Sequence, residues 1–261
     1  MIRAVAALAG RDLRRFFRQP SRIVGSAAQP LILWVVLGAG LGGSFRPGGA
    51  GGAGGGVGYL QYFYPGVVVL TLLFTAIFST ISVIEDRHHG FLQAVLAAPV
   101  SRASLVLGKT LGGVAIASVQ AGILLALAPL AGFHAADMNW PLLVLAIPLS
   151  ALVFTALGFA MAWWIDSTQG YHAIMSVVLI PLWILSGAMF PAAGDSRWIA
   201  ILMAFDPMTY TVSAVRRGFH GAALPAGLVP GHSSATMDLA LIALSAVVAL
   251  AAAVALCRRR A

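Results

Sequence analysis

The amino-acid sequence predicts an all-α integral membrane protein with six transmembrane helices. Of its 261 residues, 60% are hydrophobic and only 9% are charged, whereas a soluble domain usually carries about 25% charged residues. Polar breaks separate long apolar runs, and these runs reach the length that a membrane crossing requires. An N-terminal amphipathic interfacial helix, a short cytoplasmic helix and a re-entrant helical hairpin before the last span complete the predicted fold. Residues 1–261 form a single membrane domain.

Residues 1–22 are predicted to form an amphipathic helix in the membrane interface, because apolar and basic residues alternate at helical spacing. The apolar side carries Ile2, Val5, Ala9, Leu13 and Phe16. The opposite side carries Arg3, Arg11, Arg14, Arg15 and Arg18. These arginines are expected to face anionic lipid headgroups. A mitochondrial-type targeting peptide is the competing interpretation, since such peptides are also rich in arginine and poor in acidic residues.

The six spans are predicted at residues 23–45, 65–84, 110–132, 140–164, 171–190 and 236–257. The first span is the weakest, because Pro30 interrupts it. A glycine-dominated loop covers residues 46–58, and it lacks the Gly-Lys-Ser/Thr ending of a phosphate-binding loop. An aromatic belt at the membrane surface is expected just before the second span. Its residues are Tyr59, Tyr62, Phe63 and Tyr64.

A charged segment over residues 85–109 separates the second and third spans. Residues 91–98 are predicted to form a short amphipathic helix parallel to the membrane. Pro99 should end this helix, and Ser101 is placed to cap the next one. The apolar face of the short helix carries Phe91, Leu92, Val95 and Leu96. Nothing in the segment resembles a chemical site, so it is predicted to be a docking element.

Residues 191–232 are predicted to form two short apolar helices that enter the membrane from the outer side without crossing it. Asp195 can cap the first of them. Asp206 and Pro207 provide a helix cap and a proline at the first helical position of the second. Arg216 and Arg217 follow in that helix, and snorkelling is expected to hold them at the outer interface.

The distribution of basic residues predicts the orientation. Segments 1–22, 85–109 and 258–260 hold six, three and three basic residues. Six spans place all three segments on one side, which is therefore cytoplasmic. The chain is thus expected to be a multi-pass protein of the plasma (inner) membrane with both termini in the cytoplasm. The single cysteine, Cys257, excludes an intramolecular disulfide and fits a reducing cytosol.

The composition also restricts the function. Ion-driven carriers place ionisable residues inside the membrane, but the interiors of the predicted spans contain no Asp, Glu, Lys or Arg. No nucleotide-binding loop is present, so active transport would need the energy of a partner that docks on the charged segment. Isolated arginines do not make a nucleic-acid surface. A metal site in the loop with His134, Asp137 and Asn139 is an alternative interpretation, but two possible ligands in a loop are more often solvated side chains, and no cofactor is predicted.

Two motifs resemble those of a known family. The first reads Glu85-Asp86-Arg87, Gly90, Leu92, Leu96, Pro99-Val100-Ser101-Arg102 and Gly108-Lys109. The second reads Phe190-Pro191, Trp198, Asp206-Pro207-Met208-Thr209-Tyr210 and Arg216. In this order and with six spans, they resemble the permease subunits of type-2 ABC exporters, which include drug-resistance, nodulation-factor and polysaccharide export permeases. The pair His88-His89 departs from the family pattern, in which an acidic residue is more common before the glycine.

The resemblance implies a non-enzymatic half-transporter that dimerises, lies among membrane lipids and binds two copies of a separate ABC ATPase. Its substrate would be lipidic, drug-like or of the glycan type. The implied ATPase-coupling residues are Glu85, Asp86, Arg87, Gly90, Phe91, Leu92, Pro99, Arg102 and Lys109. The implied outer gate comprises Phe190, Pro191, Asp206, Pro207, Thr209, Tyr210 and Arg216.

Three questions stay open at this point. The first is whether the second permease chain of the dimer is an identical copy or a paralogue. A membrane-embedded transferase is an alternative, but it would need paired carboxylates for a metal, and Glu85-Asp86 is the one adjacent acidic pair in the sequence. A passive channel or a scaffold subunit is the other alternative.

Overall fold

The structure is a computed structural model, and it describes residues 2–41, 58–189, 197–224 and 234–259. All regular secondary structure in these residues is helical. The helices are α1 (Ile2–Phe17), α2 (Pro20–Leu41), α3 (Tyr59–Ser79), α4 (Ile81–His88), α5 (Phe91–Ala97), α6 (Arg102–Leu127), α7 (Trp140–Trp164), α8 (Thr168–Leu185), α9 (Arg197–Phe205), α10 (Pro207–His220) and α11 (Ala235–Arg259). Short 3-10 turns follow α6 and α10.

Within the described residues, five segments are long and apolar enough to cross a membrane. They are Tyr59–His88, Arg102–Ala131, Trp140–Trp164, Thr168–Leu185 and Ala235–Arg259, and they correspond to the second to sixth predicted spans. The first predicted span falls on α2, whose apolar part, Val24–Gly40, is shorter. A sixth crossing therefore stays a prediction, as do the interfacial position of α1 and the re-entrant hairpin. The predicted glycine-rich loop lies outside the described residues except for Gly58.

Helix α3 forms the centre of the bundle and packs against α2, α6, α7 and α10. The expectation of an aromatic belt at its start is wrong, because α3 begins at Tyr59 and the aromatic residues of this first turn are buried in the protein. The Tyr62 hydroxyl donates to the Gly187 carbonyl at 3.1 Å, and the Tyr64 hydroxyl donates to the Leu124 carbonyl at 2.6 Å. These acceptors allow the two hydroxyls to be buried.

Helix α1 packs along the first half of α6. The contact needs glycine, since a Cβ atom at Gly108 would lie 2.8 Å from Cβ of Leu8. The predicted apolar side of α1 is only partly confirmed: Phe16 is buried, but Ile2 is 85% exposed. The expectation that the arginines face lipid needs a correction, because Arg11 and Arg15 form ion pairs with protein carboxylates. Arg3, Arg14 and Arg18 are exposed.

All three basic segments meet at one end of the bundle. Arg102, at the start of α6, donates to the carbonyl oxygens of Cys257 and Arg258 at 3.1 and 3.2 Å, near the end of α11. Helices α1, α4 and α5 lie at the same end, which we call the coupling end. The opposite end, the hairpin end, carries α10 and the start of α7, where the Asn139 amide donates to the Gly218 carbonyl at 2.8 Å.

Candidate functional site

A sharp turn at the coupling end separates α4 from α5. Gly90 has φ of +72°, a left-handed conformation that glycine adopts without the steric cost of a side chain. The next helix boundary follows after α5, where the Ser101 hydroxyl accepts a hydrogen bond from the Ser104 amide at 3.2 Å. These observations confirm the predicted short helix and its neighbouring cap, while Pro99 lies exposed in the connection.

Helix α5 has a buried edge and an exposed face. Leu92 is buried and Phe91 is half-buried. Leu96 was expected on the apolar face, yet it is 37% exposed. The exposed residues of this turn and helix form what we call the coupling surface. They are His88, His89, Gln93, Ala94, Leu96, Ala97, Ala98 and Pro99.

A buried group of charges fastens the turn to the bundle. Lys109 is only 4% exposed, and its Nζ lies 2.5 Å from Asp86 Oδ2 and 3.0 Å from Asp12 Oδ2. Arg11 also pairs with Asp86. We call these two cations and two carboxylates the charge cluster. It joins α1, α4 and α6, and its charges balance, as the burial of ions requires.

Two further contacts surround the cluster. The guanidinium carbon of Arg11 lies 3.8 Å from the centre of the Phe91 ring, so a cation–π contact links α1 to α5. Arg15 Nη2 lies 2.8 Å from Glu85 Oε2. Both contacts hold α4 and α5 against the N-terminal helix.

A separate junction ties the end of α4 to the connection between α7 and α8. Arg87 pairs with Asp166 and donates to the Trp163 carbonyl at 3.0 Å. A ring nitrogen of His88 lies 2.9 Å from the Asp166 carbonyl oxygen. The charged residues predicted for coupling therefore bind helices of their own chain, and α5 with its flanking turns supplies the exposed surface.

At the hairpin end, Asp206 caps α10 as predicted, since its Oδ1 accepts from the Met208 amide at 2.9 Å. Asp206 is buried, and this burial raises its pKa to about 7, although the hydrogen bond from Met208 acts in the opposite direction. Phe190, Pro191 and Asp195 lie outside the described residues.

The two arginines of α10 do not snorkel, which corrects the expectation from the sequence. Arg216 is 2% exposed, and its guanidinium carbon lies 4.3 Å from the centre of the Tyr62 ring. Its Nη2 also donates to the Gly187 carbonyl at 3.2 Å. Arg217 Nε lies 3.1 Å from Oδ2 of the fully buried Asp238. Protein groups therefore compensate both cations inside the bundle.

The remaining predicted hairpin residues lie around the start of α10. Pro207 is its first residue, and Thr209 is buried. The Tyr210 hydroxyl donates to the Ala204 carbonyl at 2.7 Å and so closes the turn between α9 and α10. His134 and Asp137 are exposed and 3.9 Å apart, and the described residues contain no group of three or more side chains suited to a metal ion.

Sequence reasoning missed the partners of the charged residues. Asp12 carried a signal, because it is the one acidic residue in a strongly basic helix. Asp166 and Asp238 carried none beyond their charge. Asp166, between α7 and α8, pairs with Arg87 of α4, and Asp238 of α11 pairs with Arg217 of α10. The sequence does not show which of these elements touch.

The comparison with known proteins decides the family. Residues 3–220 match the family model described as ABC-2 type transporter. The chain belongs to the ABC-2 type transporter family. This confirms the resemblance, and the chain is accordingly a multi-pass membrane permease subunit of an ABC exporter.

Relatives cover most of the chain. Nodulation protein J of Neorhizobium galegae is 26% identical over 92% of this chain and 87% of its own length. The daunorubicin resistance ABC transporter permease protein DrrB1 of Streptomyces coeruleorubidus is 25% identical, over 88% and 83%. The ycf38 protein of Cyanophora paradoxa, named as a transport permease, is 27% identical over 76% and 68%. An ABC-2 permease is a non-enzymatic subunit that works with an ABC ATPase subunit, so the family does not support the transferase interpretation.

Proposed function

We propose that two copies of this chain form the membrane part of an ATP-driven exporter, and that two copies of the ATPase dock on their coupling surfaces. One observation carries the proposal: α5 is exposed at the end of the bundle, on a glycine turn that the buried charge cluster holds to α1 and α6. An exposed helix that buried ion pairs hold to the rest of the bundle is suited to transmit the movement of a bound partner.

The charge cluster supports the transmission of that force. Pulling Lys109 away from both Asp86 and Asp12 inside the bundle would leave a buried charge unpaired, which costs about 3–5 kcal/mol. A displacement of α5 is therefore expected to move α4, α1 and the first half of α6 together. Movement of α4 would reach α3 directly, because Tyr59–His88 forms one continuous candidate span.

The orientation belongs to the same proposal. The coupling end carries the arginines of α1, the charges around α4 and α5, and the basic end of α11. By the bias of basic residues towards the inner side, this end faces the cytoplasm of a cell with the permease in its plasma membrane. An ATPase there has access to cytoplasmic ATP.

The hairpin end is proposed to be the outer gate. Arg216 on α10 contacts Tyr62 on α3 and the carbonyl of Gly187 after α8. One buried side chain thus joins three elements on the path from the membrane to the outside. Opening of the gate would require this contact to rearrange.

The substrate class follows from the character of the bundle and from the relatives. The candidate spans are apolar, which favours a lipidic, drug-like or glycan-bearing amphiphile over a small ion. Two relatives are named for daunorubicin resistance and for nodulation, and export of an amphipathic compound is consistent with both names.

The test is the purification of the chain with its ATPase in mild detergent, followed by mass spectrometry of the intact complex. We expect two permeases and two ATPases. Leu96→Glu places a charge on the coupling surface and should release the ATPase. Ala136→Glu places the same charge on an exposed loop at the hairpin end and should retain it. Arg102→Glu is less suitable, because Arg102 fastens α6 to α11.

The outcomes separate the parts of the proposal. Retention of the ATPase by both variants would move the docking surface away from α5. An intact permease dimer that never recovers an ATPase would overturn the exporter proposal. A complex with a single permease copy would contradict the proposed dimer but would leave the proposed docking on the coupling surface unaffected.

A further inference from the structure

The coupling surface offers a partner few polar side chains. Its polar residues are His88, His89 and Gln93, and the other five residues are apolar. The cations beside it are already engaged, because Arg87 pairs with Asp166 and Arg102 donates to carbonyl groups of α11. The polar side-chain contacts that remain for a docked protein are therefore those of two histidines and one glutamine.

The two histidines are held in place by different ring nitrogens. His88 Nε2 lies 2.9 Å from the Asp166 carbonyl oxygen, and His89 Nδ1 lies 2.7 Å from the Glu85 carbonyl oxygen. A carbonyl oxygen can only accept a hydrogen bond, so each of these ring nitrogens carries a proton and donates. In the neutral ring, the second nitrogen is then an acceptor. This acceptor is Nδ1 in His88 and Nε2 in His89.

His89 presents its acceptor on the outside of the turn. Nδ1 is the ring nitrogen nearer to the backbone, and in His89 it is bound to the preceding helical turn. Nε2 therefore lies at the outer end of an exposed side chain, and it has no hydrogen bond to the part of the chain that the structure describes. In His88 the outer nitrogen is used within the chain. The two neighbouring histidines thus have different roles.

The carboxylates of this region do not compete for a donor that approaches His89. The Glu85 carboxylate pairs with Arg15 of α1, and the Asp166 carboxylate pairs with Arg87. Within the described residues, no ion pair joins His88 or His89 to a carboxylate. A hydrogen-bond donor of a docked protein would accordingly meet Nε2 of His89 without a free carboxylate of this chain beside it.

Building on the proposed docking of the ATPase, we propose that His89 is a specificity-determining residue whose Nε2 accepts a hydrogen bond from a donor side chain of the ATPase. The partner surface that fits is apolar opposite α5 and carries an N–H or O–H donor opposite the Gly90 turn, as arginine, lysine or serine supplies. An ATPase with a carboxylate at that place would bring an acceptor against an acceptor, and it would bind more weakly.

The experiment measures the dissociation constant of the ATPase that co-purifies with the permease, using permease variants in nanodiscs. His89→Asn keeps an amide donor at the position of Nδ1, so the contact with the Glu85 carbonyl is retained while the outer acceptor is lost. We expect its dissociation constant to rise about fivefold to tenfold, as the loss of one hydrogen bond predicts. The thermal unfolding temperature of the permease should not change.

Three further variants define the contact. His89→Gln places an amide oxygen at the position of Nε2 and should bind the ATPase as the wild type does. His89→Lys offers donors and no acceptor, so it should weaken docking at least as much as His89→Asn. His88→Gln is the matched control, because its amide nitrogen can still donate to the Asp166 carbonyl. It should change neither the dissociation constant nor the unfolding temperature.

Tighter docking of His89→Lys than of the wild type would reveal a carboxylate on the ATPase and would overturn the inference. Wild-type docking of all three His89 variants would overturn it as well, and release of the ATPase by Leu96→Glu would then show that docking on α5 still stands. If Leu96→Glu retains the ATPase and His89→Asn weakens docking, the contact is centred on the Gly90 turn and the assignment of His89 holds. If neither variant affects docking, both proposals fail.

Discussion

Lys109 Nζ lies 2.5 Å from Asp86 Oδ2, so α4, which precedes α5, is bonded to α6, which follows it. The contact closes the chain between Asp86 and Lys109 into a loop whose two ends cannot separate without disturbing buried charges. Asp12 adds α1 to the same contact at 3.0 Å from Lys109. The N-terminal helix therefore helps to hold the coupling surface in place.

This arrangement predicts the effect of Lys109→Met. The substitution leaves Asp12 and Asp86 with Arg11 as the remaining cation of the cluster, so we expect the free energy of unfolding to fall by about 3–5 kcal/mol. Chemical denaturation of the purified permease in detergent measures the change. Arg3→Met removes an exposed cation of α1 and should change stability by less than about 0.5 kcal/mol.

The double variant Lys109→Met/Asp86→Asn sharpens this test. It removes one cation and one carboxylate together and leaves Arg11 with Asp12. If the charge balance of the cluster matters, the double variant should be more stable than Lys109→Met alone. A double variant that loses the sum of both single effects would show that the contact is ordinary packing.

Gly90→Ala tests the turn. At φ of +72° an alanine is strained by about 1–2 kcal/mol, and because no atom would lie within 4 Å of the new Cβ, the cost is conformational rather than steric. We expect a stability loss of that size and weaker recovery of the ATPase. Gly90→Asn should recover part of the loss, since asparagine tolerates this region better.

Gly10→Ala is the control for that comparison. Gly10 lies inside α1 and also has open space around its Cβ position, but its conformation is helical, where alanine is favoured by up to about 1 kcal/mol. The two substitutions should therefore change stability in opposite directions. A loss of equal size in both would contradict the conformational explanation.

The sequence was sufficient where the signal was local. The caps at Ser101 and Asp206 and the turn at Gly90 each depend on residues within a few positions, so their chemistry appears directly in the sequence. The partners of Lys109 and Arg217 were not predictable, because Asp12 and Asp238 reach them only through helix packing.

The aromatic residues at the start of α3 show a different limit. Tyrosine before an apolar run is typical of a membrane interface, and the same pattern arises when a buried helix begins one turn earlier. The tyrosines can be buried because hydrogen-bond acceptors, such as the Leu124 carbonyl that accepts from the Tyr64 hydroxyl, lie inside the protein. No local pattern reports an acceptor that lies 60 positions away.

The orientation can be tested with single cysteines in a Cys257→Ser background. Gln93 is exposed on α5 at the coupling end, and Ala136 is exposed at the hairpin end. In intact cells, a membrane-impermeant maleimide should label Ala136→Cys at once and Gln93→Cys only after permeabilisation. The reverse pattern would place the coupling end outside the cell and exclude docking of a cytoplasmic ATPase there.

The stability of the hairpin end should depend on pH through Asp206. Burial raises its pKa to about 7 in the folded protein, against about 3.9 in an unfolded chain. A raised folded pKa means that stability is fully present below about pH 4 and is lost as the pH rises to about 7, by at most about 4 kcal/mol. Asp206→Asn should remove this dependence.

His220 has the opposite effect on the pH dependence of stability. The contribution of Asp206 must therefore be measured as the difference between wild type and Asp206→Asn. The burial of His220, with Arg216 nearby, lowers its pKa to about 4, so its contribution is lost as the pH falls from about 6.5 to about 4. Subtracting the unfolding curves of wild type and Asp206→Asn from pH 4.5 to 7.5 isolates the aspartate. A flat difference would show that Asp206 stays ionised throughout.

The pair of Arg217 and Asp238 predicts how the hairpin is held. Asp238 is fully buried and accepts from Ser213 Oγ at 2.6 Å as well as from Arg217. Asp238→Ala should therefore cost about 3 kcal/mol in stability, because it removes the buried acceptor of both groups. Thermal unfolding of the permease in nanodiscs measures this loss.

A double-mutant cycle with Arg217→Met separates the pair from its surroundings. We expect a coupling energy of about 1–3 kcal/mol between the two positions. Arg217 is only 18% exposed and Asp238 is fully buried, so water compensates little of either charge. If α10 is the outer gate, Asp238→Ala should also raise ATP hydrolysis without substrate, because a loosened α10 opens at lower cost. Unchanged hydrolysis together with a large coupling energy would assign the pair to folding and would leave Arg216, with its contacts to Tyr62 and Gly187, as the gating residue to test next.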